Sequence, residues 1–100
     1  MSRYILSPEA RNDLLEIDEY LSLERSSEAA AQVMDVLESL CQTIADMPQM
    51  GRERPELSPG LRSFAKGNYI VFYRLIQDGV QVARIYHGAR DIEAIFDEGV

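Results

Sequence analysis

The apolar positions of this chain change period along its length, and the changes mark its elements. Arg3-Tyr4-Ile5-Leu6 is a short β-prone run. Ser7-Pro8-Glu9-Ala10 follows with a hydroxyl cap, a proline suited to the first helical position and an acid at the positive end of the helix dipole, so a helix starts at Pro8. Ala10, Leu14, Ile17 and Leu21 fall at spacings of four, three and four, the single apolar stripe of a 3.6-residue period. The polar stretch Arg25-Ser26-Ser27-Glu28 supplies two candidate caps, and a second stripe runs through Val33, Leu37, Leu40, Ile44 and Met47 until Pro48 stops it. So short a connection makes the two helices an antiparallel hairpin.

After Pro48 the helical period is lost. Residues 48–60, with Gly51, Pro55, Pro59 and Gly60, read as a loop long enough either to be functional or to serve as a bare crossover. Leu61-Arg62-Ser63-Phe64-Ala65 alternates, Lys66-Gly67-Asn68 is a turn, and Tyr69 to Ile76 is rich in β-branched and aromatic residues. Asp78-Gly79 marks a tight hairpin, and a two-residue loop there sets Gln77 opposite Val80, Leu75 opposite Val82, Tyr73 opposite Arg84 and Val71 opposite Tyr86. One face then holds Ile70, Phe72, Ile76, Ala83 and Ile85 with Arg74 and His87, and the other Tyr69, Val71, Tyr73, Leu75, Val82, Arg84 and Tyr86. The expected class is α+β: a short N-terminal strand, a helical hairpin and a C-terminal antiparallel sheet in the order β-α-α-β-β-β.

Composition fits one globular domain over residues 1–100: 46% of residues are hydrophobic and 27% charged. Cys41, the only cysteine, sits in an apolar helical pattern as a small buried side chain, and its solitude suits a reducing cytoplasm. No run approaches the roughly 20 apolar residues of a membrane span. The net charge of −7 argues against direct nucleic-acid binding but conceals a division. Residues 1–50 carry ten acids against three arginines; in residues 51–90 seven cations face three acids; four acids then close the chain.

Few residues invite chemistry. His87, the only histidine, lies beside Arg84, Tyr86 and Arg90, a grouping that suits proton transfer with cations stabilising a developing anion, but equally suits a strand end. One histidine and one cysteine make no usual metal ligand set, and neither a nucleophile elbow nor a glycine-rich phosphate loop occurs, so no metal, cofactor or catalytic residue is assigned. The two apolar sheet faces are more informative. Helices cover one, so the other needs cover from Ile92, Ala94, Ile95 and Phe96 in part and from a partner for the rest. Tyrosine and arginine are favoured interface anchors, which makes the Tyr69, Tyr73 and Tyr86 face the expected contact surface.

Tyr4-Ile5-Leu6-Ser7-Pro8-Glu9-Ala10, Asp13-Leu14 with Ile17 and Tyr20, Pro48 with Gly51, Leu61-Arg62, Tyr69-Ile70-Val71-Phe72-Tyr73-Arg74 and His87-Gly88-Ala89-Arg90-Asp91 together resemble the ParE toxins of the RelE/ParE superfamily. The resemblance implies a bacterial type II toxin-antitoxin system in which the toxin binds DNA gyrase and a ParD-like antitoxin holds it inactive in a hetero-oligomer. The residues expected to meet antitoxin or target are Arg62, Tyr69, Tyr73, Arg74, Arg84, Tyr86, His87 and Arg90. The related RelE branch cleaves messenger RNA on the ribosome with basic sheet residues and an acid-base pair. This chain departs from that branch in its few lysines and in a C-terminal segment, residues 92–100, without Tyr, His, Lys or Arg. RelE-type cleavage, and survival as a non-toxic antitoxin-binding relative, are the alternatives.

Overall fold

A computed structural model describes residues 2–88. Strand β1 (Arg3–Leu6) leads into helices α1 (Pro8–Glu24) and α2 (Ser27–Asp46), followed by strands β2 (Arg52–Glu53), β3 (Leu61–Lys66), β4 (Tyr69–Ile76) and β5 (Gly79–His87). The expected architecture holds, with one addition. The stretch 48–60 contains β2, whose Arg52 and Glu53 pair with Ser63 and Arg62, so four strands follow the helices. Two residues are too few to show an alternating pattern.

The sheet order is β1-β5-β4-β3-β2, with β1 parallel to β5 and the other neighbours antiparallel. The last described strand therefore lies between the first and the fourth. Both helices begin as their caps dictate: Ser7 Oγ accepts from Ala10 N and Ser26 Oγ from Ala29 N, each at 3.0 Å. Their stripes meet the sheet in one core of Ala10, Leu37, Leu40, Cys41, Ile44, Ala45, Val71, Tyr73, Val80, Val82 and Ile85, with Leu14, Ile17 and Val33 packed against it. Met47, expected to end the second stripe, is instead half exposed at the helix C-cap. Burial, with Glu38 nearby, pushes the Cys41 thiol up to about 11, which leaves it protonated and inert at neutral pH.

The hairpin register differs from the expected one in two ways. Ile76 pairs with Gly79, so the two loop residues are Gln77 and Asp78, and Asp78 takes φ +65°, a conformation its short side chain tolerates. Leu75 then faces Val80 and Tyr73 faces Val82, but Phe72 faces Arg84, leaving Ala83 as an extra residue in a bulge. Beyond the bulge Val71 meets Ile85, Ile70 meets Tyr86 and Tyr69 meets His87. A one-residue slip exchanges faces. Ile85 consequently joins the helix-covered core with Val71, while Tyr86 joins Leu61, Phe72 and Ala83, the last on the face expected for it, in a second cluster on the opposite side.

That second face is largely buried. Leu57, from the segment before β3, and Ile70 pack against its cluster, and the Arg54 guanidinium lies 6.0 Å from the centre of the Phe72 ring. Ile92, Ala94, Ile95 and Phe96, expected to contribute cover, lie outside the described residues. Among the described residues no helix is long and apolar enough to cross a membrane.

Candidate partner-binding groove

Strand β1 accompanies β5 only from Gly79 to Val82. Beyond that point the start of α1 takes over the edge. Ser7 N donates to Val82 O at 2.9 Å, and the Ser7 hydroxyl donates to Ala83 O at 2.8 Å, so the helix cap also anchors the bulge. Two turns on, Asp13 Oδ2 accepts from Ile85 N at 2.9 Å, doing for the strand what a neighbouring carbonyl would do. The same carboxylate takes Arg84 in a two-point pair, Nε to Oδ2 at 2.9 Å and Nη2 to Oδ1 at 3.0 Å. The side-chain hydrogen bond to Asp13 holds the Arg84 guanidinium above its ordinary pKa, and it lies 4.6 Å from the centre of the Tyr86 ring. Asp13 is only 6% exposed.

Past Asp13, helix and strand diverge and leave a groove of about 370 Å³. Glu16, Ile17, Tyr20 and Leu21 line it from α1, and Tyr69, Ile85, Tyr86 and His87 from the sheet. His87 is exposed and stacks on Tyr69, ring centres 4.9 Å apart and planes tilted by 39°. Burial raises the pKa of the Tyr69 phenol. Tyr20 stands at the rim, 58% exposed. The floor is apolar and the rim aromatic and acidic, a surface suited to binding.

The eight expected contact residues do not form one surface. Tyr69, Tyr86 and His87 meet at the groove, and Arg84 stands at its closed end. Arg62 lies elsewhere, donating to Gly51 O at 2.7 Å with Glu53 3.7 Å away. Arg74 donates to Ser58 Oγ at 2.5 Å. Tyr73 needs correction as a contact residue. It is fully buried, its hydroxyl donating to Pro48 O at 2.8 Å and accepting from Gly51 N at 2.9 Å. The single Tyr69, Tyr73 and Tyr86 face does not exist, because the bulge puts Tyr73 and Tyr86 on opposite sides of the sheet. Arg90 lies outside the described residues. Six groove residues, Asp13, Glu16, Ile17, Tyr20, Leu21 and Ile85, were not singled out as contacts; the polar Asp13 on the inner side of α1 was the one available signal. Among the described residues no cluster of three or more His, Cys, Asp and Glu side chains is placed to hold a metal ion.

The family model of the ParE toxin of the type II toxin-antitoxin system, parDE, matches residues 4–92. The chain belongs to the ParE toxin family. Toxin ParE1 of Caulobacter vibrioides is 33% identical over 94% of this chain and 97% of its own length. Toxin RelE3 of the same organism is 34% identical over 82% of this chain and 89% of its own. A solved structure titled as the chromosomal ParDE TA system from P. aeruginosa shares the fold, with a TM-score of 0.73 over 89% of this chain and 98% of that one at 19% identity. In this ParE toxin the residues that carried the family resemblance are largely structural. Ser7 and Asp13 fasten α1 to β5, while Pro48, Gly51, Arg62 and Tyr73 form one clamp around the turn after α2.

Proposed function

We propose that this ParE toxin acts by binding proteins: DNA gyrase is its target, and a ParD-like antitoxin encoded beside it neutralises it in a hetero-oligomer. The reading rests on family membership and on one observation about four arginines of the basic stretch 51–90. Arg54, Arg62, Arg74 and Arg84 each donate to a partner inside the molecule: Ser63 and Glu56, Gly51 O, Ser58 and Asp13 respectively. A nuclease needs such groups aimed at a phosphodiester, with an acid and a base on either side of it. His87 is stacked on a tyrosine, and no described carboxylate hydrogen-bonds to it. The chain acts in the cytoplasm as a single folded domain, and recognition belongs to Tyr69, Tyr86, His87 and the neighbouring Arg84, with Arg90 following in sequence.

RelE-type cleavage of messenger RNA on the ribosome is the competing reading, favoured by the similarity to Toxin RelE3. Purified toxin added to a gyrase supercoiling reaction, with and without the ParD-like protein, separates the two. Inhibition that the antitoxin reverses, with transcripts left intact after induction in cells, is the expected result. Untouched supercoiling together with cleaved transcripts overturns the proposal.

A further inference from the structure

A second cavity, of about 380 Å³, lies toward the other end of β4, with Glu53, Pro55, Arg62, Arg74 and Leu75 among its walls. Tyr69 borders the groove and Arg74 this cavity, five residues and about 16 Å along the strand. Glu53 stands opposite Arg62 and Arg62 opposite Tyr73, on the side of the sheet that faces the helices, whereas Arg74 stands opposite Leu61 on the other side. The cavity wraps the corner where β3 begins and so draws one arginine from each side of the sheet. The helices pack chiefly on β1 and β5, which leaves Leu75, on their side of β4, 43% exposed.

Charge sets this corner apart. Over residues 51–76 five cations, Arg52, Arg54, Arg62, Lys66 and Arg74, face only Glu53 and Glu56, in a chain whose net charge is −7. Glu56 is taken by Arg54 at 2.8 Å, and Glu53, its side chain 77% exposed, stands 3.7 Å from Arg62. Arg74 is half-buried and donates to the neutral Ser58 hydroxyl; among the described residues no carboxylate pairs with it. A guanidinium short of a counter-ion beside an exposed leucine suits an acidic protein partner. A run of phosphates fits less well, because it would pass Glu53 in the cavity wall and Glu56 close by in sequence. A second copy offering its acidic helices would make a head-to-tail contact, which closes only if the rotation allows it. The groove, with Glu16 at its rim, has the opposite sign, so no single segment suits both places.

We propose that this corner docks the toxin's protein target through an acidic segment. One carboxylate of the target displaces Glu53 beside Arg62, a second takes the remaining N–H donors of Arg74, and an apolar side chain between them rests on Leu75 and Pro55. The proposal depends on the gyrase reading above and adds the surface that the target meets and the chemistry of the segment it inserts.

The test measures the concentration of full-length toxin that halves gyrase supercoiling, for wild type, Arg74→Glu, Leu75→Ser and Glu53→Gln, with thermal unfolding as the check on folding. Arg74→Glu and Leu75→Ser are each expected to raise that concentration about tenfold or more, as removing an interface anchor does. The Arg74→Glu effect grows at low salt. Glu53→Gln removes the carboxylate that competes for Arg62 and is expected to lower the concentration severalfold. A gain of inhibition cannot come from a misfolded chain, so Glu53→Gln decides the matter if Arg74→Glu unfolds. Variants that all inhibit like wild type overturn the docking site and leave the gyrase reading standing. Variants that inhibit normally but lose the ParD-like protein, duplex DNA or self-association move the corner to the antitoxin, to nucleic acid or to a second copy, and each of these overturns the proposal. A wild-type toxin that leaves supercoiling untouched overturns the gyrase reading and the target assigned to this corner with it.

Discussion

Asp13 and Arg84 stand 71 residues apart in sequence and meet in a bidentate pair at 2.9 and 3.0 Å, while the same carboxylate holds the backbone of Ile85. Helix α1 is thereby fastened to β5, the strand between β1 and β4. Asp13→Ala orphans a buried N–H and leaves a guanidinium, 18% exposed, without its counter-ion. The expected loss is about 3 kcal/mol, in line with breaking a buried pair. Asp13→Asn keeps an acceptor for Ile85 N and loses about half as much. Urea unfolding checks both, through the midpoint at constant slope.

A second stability prediction concerns the clamp after α2. Tyr73→Phe leaves Pro48 O and Gly51 N without their shared hydroxyl partner, which costs about 2 kcal/mol. Gly51→Ala is worse, because its new methyl group would sit inside contact distance of Tyr73 Oη and Ser63 O, and backbone on one side cannot yield. Thermal unfolding of the two single variants and the double variant is expected to be non-additive, since both act on one contact.

Alkaline pH should unfold the toxin in a way that identifies Cys41. Its thiol has a pKa of about 11 in the fold against 9.0 as reference, so the folded state holds its proton where the unfolded state releases it. The contribution is fully present below pH 9, falls as pH rises from there, and is lost above 11. Two units correspond to about 3 kcal/mol. Tyr4, Tyr69 and Tyr73, also raised by burial, steepen the fall above pH 10. Cys41→Ala is expected to flatten the curve of unfolding free energy between pH 9 and 11 relative to wild type.

His87 distinguishes binding from catalysis. Replacing a general acid or base lowers activity by about a hundredfold or more. If recognition is the function, His87→Ala removes only a ring stacked on Tyr69. Growth arrest on induction should persist, with a change of about tenfold or less in the toxin concentration that halves gyrase supercoiling.

Much of the fold was legible because its signals are local. Ser7-Pro8 and Ser26 act within one helical turn, and the stripes from Ala10 to Leu21 and from Val33 to Ile44 report the same face of successive turns. The features that eluded the sequence depend on distant partners. The bulge at Ala83 is held by the Ser7 hydroxyl from 76 residues away, and an extra residue in one strand leaves an ordinary alternation on either side. With the bulge unseen, Arg84 and Tyr86 were expected on the face of Tyr73, and so the contact surface was misdrawn. Asp13 was half legible: its spacing of three from Ala10 and four from Ile17 sets it on the inward stripe, but its partner Arg84 stands 71 residues away.

The placement of β5 sets an order on assembly. The strand beginning at Gly79 joins β1 to β4, and both the bulge anchor and the Asp13 latch wait for it. A nascent chain that has emerged only as far as Ile76 has its helices and the β2-β3-β4 part of its sheet, but β1 has no neighbour until β5 arrives. Closure by such distant pairings is slow compared with forming the helices. The contacts of β5 with Ser7 and Asp13 therefore form after the helices they fasten.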